Sequence, residues 1–189
     1  MELLAPAGSR QALTAAVQSG ADAVYLGGPQ FGARYSAENF TIEEMKTWVD
    51  YCHLYGVDVH VTVNTLVKEK EFESLKEYLK QLNEIGVDAL IVQDMGAVEI
   101  IKKTVPDMTL HASTQMTVTS LEGVKYLEDM GFSRVVLARE LSEKEIEHIC
   151  KNAKAEIEVF VHGAICMCYS GQCLMSSILG GRSGNRGRC

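Results

Sequence analysis

Cys166, Cys168, Cys173 and Cys189 lie close together near the end of a chain of 189 residues, in a stretch rich in glycine and serine. Thiolates bind soft metals and iron–sulfur clusters, and they are also the nucleophiles of cysteine catalysis. The spacings Cys166-x6-Cys173 and Cys173-x15-Cys189 do not match a tight zinc knuckle, and no histidine follows to complete one. Three thiolates from one glycine-rich loop suit an iron–sulfur cluster, which four cysteines usually hold. A nucleophilic thiol and unrelated structural cysteines are the rival readings. Cys168, between the better-placed thiols, reads as a fourth ligand, a spare, or a residue beside the site. Arg182, Arg186 and Arg188 form a local basic cluster in the same stretch. They are suited either to gripping phosphate or carboxylate by forked hydrogen bonds or to standing as solvated loop charges.

A repeat positions this stretch. Gly20-Ala-Asp-Ala-Val-Tyr-Leu-Gly, Gly56-Val-Asp-Val-His-Val-Thr-Val, Gly86-Val-Asp-Ala-Leu-Ile-Val-Gln and Gly131-Phe-Ser-Arg-Val-Val-Leu-Ala share one grammar. In each, a helix-ending glycine and a short turn precede a β-rich apolar run. The period is about 30 to 45 residues, and the widest step leaves room for an extra unit at Met108-Thr-Leu-His-Ala-Ser. Between the runs, Ser9 can cap a helix, and Thr41-Ile-Glu-Glu44 and Ser142-Glu-Lys-Glu145 read as capping boxes. Phe72, Leu75, Leu79 and Leu82 form an apolar helical stripe. About seven strands are expected: Glu2–Leu4, Ala23–Leu26, Val57–Val63, Ala89–Val92, Met108–Ala112, Arg134–Leu137 and Ile157–Val161. Strict alternation predicts an α/β fold, a TIM-like (β/α) barrel over residues 1–189 as one domain, with residues 162–189 as its cysteine-rich loop. With no strand left for an eighth unit, the expectation is an incomplete barrel from an N-terminal fragment of a longer protein.

In such a barrel, residues just after each strand converge on one mouth. Asn64, Gln93 with Asp94, His111 with Ser113 and Gln115, Arg139 with Glu140, and His162 take those places. Asp94 and Ser113 read equally as helix caps, and Arg139 with Glu140 as a local ion pair. His111, alternating with Leu110 and Ala112, should face the interior; His53, His60 and His148 read as scaffold. Cys52 and Cys150 lie in helical patterns and read as small buried hydrophobes.

Composition is that of an ordinary globular domain, 47% hydrophobic and 23% charged. A net charge of −7 excludes a surface that is basic throughout but not a local basic patch. Met1-Glu-Leu-Leu-Ala-Pro has no cationic start before an apolar run, and no 18-residue apolar segment occurs. The expectation is therefore a cytoplasmic protein with no membrane contact, whose cysteines stay reduced.

His162-Gly-Ala-Ile-Cys166, Tyr169-Ser-Gly-Gln-Cys173-Leu-Met-Ser-Ser and Gly181-Arg-Ser-Gly-Asn-Arg-Gly-Arg-Cys189 resemble the signature of peptidase family U32, the so-called collagenase-like proteases. Leu4-Ala-Pro-Ala-Gly8, Asp22-Ala-Val-Tyr-Leu-Gly-Gly28, Val63-Asn-Thr-Leu66 and Leu110-His-Ala-Ser-Thr-Gln115 extend the resemblance over nearly the whole chain. It implies a barrel and, in several members, a [4Fe–4S] cluster. It also implies oxygen-independent hydroxylation of rRNA, tRNA or a quinone precursor, with prephenate as an oxygen source in the RNA cases. By motif, Cys166, Cys173 and Cys189 would be ligands, with the fourth cysteine beyond residue 189; Cys168 occupies a place the pattern does not require.

On that reading His111, Arg139 and His162 orient a small acid in catalysis. Asn64, Gln93, Ser113 and Gln115 bind substrate, and the loop of Arg182, Arg186 and Arg188 approaches tRNA or rRNA. The alternatives are a peptidase, with Cys166 or Cys173 as nucleophile or a metal at work, and a cluster-binding subunit that needs a protein partner. No nucleophile elbow, HExxH or recognisable triad supports the peptidase.

Overall fold

A computed structural model describes residues 1–34, 38–163 and 166–188. Seven strands, β1 (Leu4–Pro6), β2 (Ala23–Gly27), β3 (Asp58–Val63), β4 (Ala89–Val92), β5 (Thr109–Ala112), β6 (Arg134–Val136) and β7 (Glu156–Glu158), form one sheet in chain order. All six pairings are parallel. Six helices cross between them: α1 (Arg10–Gln18), α2 (Ile42–Leu54), α3 (Phe72–Glu84), α4 (Met95–Thr104), α5 (Leu121–Asp129) and α6 (Glu143–Asn152). A short α7 (Met175–Gly180) follows in the cysteine-rich stretch. This is the expected (β/α) barrel wall, curved and open between β7 and β1.

The helices begin where local chemistry dictates. Ser9 accepts from Ala12 N–H (3.2 Å), and Thr41 and Glu44 form a reciprocal capping box (3.0 and 3.2 Å). At α6 the Glu145 carboxylate accepts from the Ser142 N–H and hydroxyl (2.7 and 2.6 Å). Asp94 is a cap: it accepts from Ala97 N–H (2.8 Å) and also from Val67 N–H (3.1 Å). The repeat glycines Gly20, Gly56, Gly86 and Gly131 all have positive φ, as their grammar predicts. Cys52 is buried as expected, but Cys150 is exposed, because α6 turns Ile149 rather than its neighbour toward the sheet.

Strand alternation separates two faces. Val24, Val59, Val61, Val63, Leu90, Val92, Leu110 and Val135 pack in one apolar core with Leu13, Met45, Val49, Leu75, Leu79 and Leu82 of the helices. The alternate residues, His60, Thr62, His111 and Arg134, are buried on the concave face. Arg134 is the hub of an ion cluster there. It donates to both carboxylate oxygens of Glu2 (2.6 Å each) and to Glu156 (2.8 and 2.5 Å), and Glu158 lies 3.7 Å away. Hydrogen bonds from Arg134 hold the Glu2 carboxyl below its usual range, whereas burial pushes that of Glu158 up.

β4 has the expected limits, β2, β3, β5 and β6 differ by one residue at one end, and β1 and β7 differ most. β1 sits at Leu4–Pro6 because Leu4 and Pro6 register with Ala23 and Tyr25. β7 ends at Glu158, after Leu137 N–H takes the last backbone rung to Glu158 C=O (3.0 Å). Val159, Phe160 and Val161 lie beyond it and are exposed.

Candidate functional site

The loops after β5 and β6 form the seat of the cysteine-rich segment. Ser113, buried at the end of β5, accepts from Gln115 N–H (3.2 Å) and starts a 3-10 turn over Thr114–Met116. Thr114 donates to Leu137 C=O (3.1 Å), tying this turn to the end of β6. Thr117 then takes a left-handed conformation, φ 58°, which points its hydroxyl to Ser170 C=O (2.6 Å). Gln172 returns a side-chain N–H to that same hydroxyl (3.1 Å).

Arg139 and Glu140 both reach Ser170. Arg139 Nε donates to the Ser170 hydroxyl (3.3 Å) and Arg139 Nη2 to Cys168 C=O (3.5 Å), while Glu140 accepts from Ser170 N–H (3.1 Å). Ser170 is accordingly buried within an otherwise accessible loop. Gly171 makes the approach possible. A Cβ there would stand 2.2 Å from Gln115 C=O, and its φ of +72° is one side chains rarely adopt.

Three thiols lie along the segment that this seat holds. Cys166 is exposed, and its sulfur accepts from Cys168 N–H and from the Arg139 guanidinium, which together hold the thiol below its usual range. Cys168 is hydrogen-bonded to Cys173, and that contact, foremost, pushes the Cys168 thiol up. Among the described residues no three His, Cys, Asp or Glu side chains converge as the ligands of a metal ion. Cys189 lies outside the described residues.

Other residues singled out from the sequence are spread more widely. Asn64 accepts from Ala33 N–H (2.9 Å) and donates to Ser113 Oγ (3.5 Å), so it joins the β2, β3 and β5 ends. Gln93 Nε2 and Gln115 Oε1 are buried with no hydrogen-bond partner among the described residues. His111 lies deeper. It registers with Arg134, and its ring meets that of His60 edge-on at 4.7 Å. Burial, foremost, pushes the His111 imidazole down to about 3. His162 is exposed on the way into the loop and makes no hydrogen bond among the described residues.

Arg186 is committed elsewhere. Its guanidinium forks onto Glu71 (2.8 and 2.6 Å) and donates to Leu66 C=O (2.6 Å). Arg182 is exposed nearby, and Arg188 lies just beyond the 3-10 turn Gly184–Arg186. Sequence reasoning gave no role to Ser170, Gly171, Thr117 or Glu71. Ser170 and Gly171 were visible inside the Tyr169–Cys173 motif; Thr117 and Glu71 carried no local signal.

A wall of parallel strands with a cysteine loop seated at their carboxyl ends defines a barrel protein whose working site is at the rim. Residues 8–189 match the model of Peptidase family U32, and the chain belongs to that family. It is 46% identical over 189 residues to the 23S rRNA 5-hydroxycytidine C2501 synthase of Escherichia coli K12, covering all of this chain and 28% of that protein. To tRNA hydroxylation protein P1 of Bacillus subtilis 168 it is 41% identical over 188 residues, all of this chain and 44% of that protein. To the collagenase of Porphyromonas gingivalis W83 it is 33% identical over 201 residues, all of this chain and 48% of that protein. The chain therefore spans less than half the length of these relatives. The solved structure of the U32 peptidase Mk0906 superposes with a TM-score of 0.69 at 20% identity, over 84% of this chain and 68% of that one, a likeness of fold. Among the described residues no helix is long and apolar enough to cross a membrane.

Proposed function

We propose that this chain is the barrel portion of a cytoplasmic iron–sulfur protein that hydroxylates a base in tRNA or rRNA. The observation that carries the reading is the seating of the Cys166–Cys173 loop on Arg139, Glu140 and Thr117 at the strand ends. Full-length similarity of this chain to proteins named for rRNA and tRNA hydroxylation supports it. Cys166, Cys173 and Cys189 would hold a [4Fe–4S] cluster, with a fourth cysteine outside this chain. Each iron of such a cluster takes its own thiolate, so thiols spaced around one loop match it better than they match a single ion. When bound, the cluster supplies redox or Lewis-acid chemistry at the rim.

The chain's own residues prepare that place. Arg139 and the Cys168 N–H favour the thiolate of Cys166, the form that ligates iron. Glu140 and Thr117 fix Ser170, and with it the backbone between Cys168 and Cys173. Gln93 Nε2 and Gln115 Oε1, buried atoms without a partner among the described residues, would be satisfied by a polar substrate at the mouth. Asn64 and Ser113 complete the row of polar strand ends. Prephenate, a small carboxylic acid, is the co-substrate we assign to the mouth, with Arg139 as the cation that would pair with it. His111 stays neutral beneath the mouth, and His162 flanks its entrance.

The peptidase reading has one observation in its favour, the exposed Cys166 with its lowered thiol. A cysteine nucleophile also needs a base, and His162 makes no hydrogen bond to a thiol among the described residues. Iron and sulfide analysis of the anaerobically prepared full-length protein tests the cluster. Mass spectrometry of tRNA and rRNA nucleosides from a deletion strain tests the reaction. A nucleoside lighter by one oxygen atom than in the parent supports hydroxylation; unchanged RNA from the deletion strain refutes it. Hydroxylation by the full-length protein only when a second protein is added would identify a subunit that works with a partner.

A further inference from the structure

We propose that the cleft between residues 28–32, which follow β2, and residues 181–188 holds a nucleotide of the RNA strand, adjoining the cysteine loop. The proposal rests on the RNA reading above and adds a substrate subsite to it. The cleft has a volume of about 470 Å³, within the range of small-molecule sites and large enough for one nucleotide. Lys68 and Arg188 stand on its walls, and Asn39, Ser74 and Ser183 add hydrogen-bonding groups. On a chain of net charge −7, Lys68 and Arg188 add two cations to a wall where Glu71 and Arg186 already pair with each other. A phosphodiester with its ribose needs that combination.

Both walls are built rather than loose. Arg186 is locked by its fork onto Glu71, so the loop carrying Arg188 is tied to the start of α3. Gly187, at φ +76°, sits so near the Gly32–Ala33 backbone that a Cβ would be 2.9 Å from Ala33 C. On the opposite wall Phe31 is held at φ 60°, a conformation uncommon for a bulky residue. Thr65 donates to Phe31 C=O (3.1 Å), and the ring leans on Tyr78 with centroids 5.9 Å apart. Partly exposed and backed by Tyr78, the Phe31 ring is a platform on which a base can stack.

Two further details fix the shape and the place of the cleft. The Tyr78 hydroxyl is buried without a hydrogen-bond partner, directly behind Gly28 of the cleft wall. A Cβ on Gly28 would stand 1.8 Å from that oxygen. On the other side, Gly184 abuts Cys173, whose carbonyl oxygen would lie 3.6 Å from a Cβ there. The loop that forms this wall thus also touches the backbone of the cysteine segment, so a nucleotide in the cleft would neighbour the base that reacts there.

The test uses full-length protein and a fluorescein-labelled single-stranded RNA spanning the modified site, read by anisotropy. Lys68→Glu and Arg188→Glu should each weaken binding about tenfold, and each should lower the salt slope by about 0.7, the share of one phosphate contact. Phe31→Ala should weaken binding about tenfold with the salt slope unchanged, because stacking does not depend on counterion release. Iron content should match wild type in all three. A nucleoside monophosphate should displace the RNA at concentrations where inorganic phosphate does not. Wild-type affinity and salt slope in both charge-reversal variants would overturn the cleft while leaving hydroxylation intact. Equal competition by inorganic phosphate would reduce the cleft to an anion site and overturn the nucleotide. Wild-type protein that neither binds RNA nor restores the modification would remove the RNA reading itself.

Discussion

Arg186 and Glu71 face each other through two parallel hydrogen bonds of 2.8 and 2.6 Å, although 115 positions separate them in the chain. This fork fastens the basic loop to the barrel. Glu71→Gln should cost about 1 kcal/mol, since both partners keep some solvent contact. Trypsin should then cut at Arg182 and Arg188 several-fold faster, which mass spectrometry of timed digests would show. Hydrogen bonds from Arg186 hold the Glu71 carboxyl at about 2, against an ordinary 4.5. The fastening is complete above pH 4.5 and is lost as pH falls toward 2. Proteolysis at a fixed acid-tolerant site should accelerate only in that window.

Gly171→Ala places a methyl group against the Gln115 carbonyl and forces an unfavourable φ. The loop, not the barrel, should give way. We expect iron content of full-length protein to fall at least several-fold, with far-UV circular dichroism unchanged. Cys166→Ser and Cys173→Ser should lower iron to the same extent. Cys168→Ser should keep it, because the family pattern does not require that thiol; loss of iron there would make Cys168 a ligand.

His111 and His60 pack ring against ring on the concave face, and burial keeps both imidazoles neutral. His111 is pushed from 6.5 to about 3, so the stability linked to its neutrality is whole above pH 6.5 and is lost as pH falls toward 3. At pH 5 the loss should be about 2 kcal/mol. Comparing urea midpoints at pH 7.5 and 5 for wild type and His111→Gln should give the variant the smaller difference.

Arg134→Met leaves Glu2, Glu156 and Glu158 facing one another without a cation. It should cost about 3 kcal/mol, the low end for a buried pair, because Glu156 keeps 66% of its side chain exposed. A second change, Glu158→Gln, should recover part of that loss, since Glu158 is the carboxylate most disfavoured by burial. Chemical denaturation of the single and double variants measures the coupling.

Elements governed by neighbouring residues were legible in advance. A glycine followed by a short turn and a β-branched run marks each strand from β2 to β4, and Thr41 with Glu44 marks a helix start. Strand limits were less legible, because they depend on the partner: β7 stops where β6 offers no further rung. The cysteine loop stood out because thiols are rare and carry chemistry in few ways. Its seat did not, since Glu140 and Thr117 acquire their roles only when Ser170 arrives. His111 was assigned to the interior by alternation, but its depth beside Arg134 follows from the β5–β6 register. Arg186 looked like a hand for RNA only because Glu71 is remote in sequence.

Glu2 precedes the first strand, and Arg134 opens the sixth. A ribosome delivers them far apart in time, so the nascent wall must assemble five strand–helix units before this clasp can close. Until then Glu2 has no guanidinium to meet, and the edge of the wall that carries it is untied. Folding of this wall should therefore finish at its first strand, with Glu2 settling among the last of its residues.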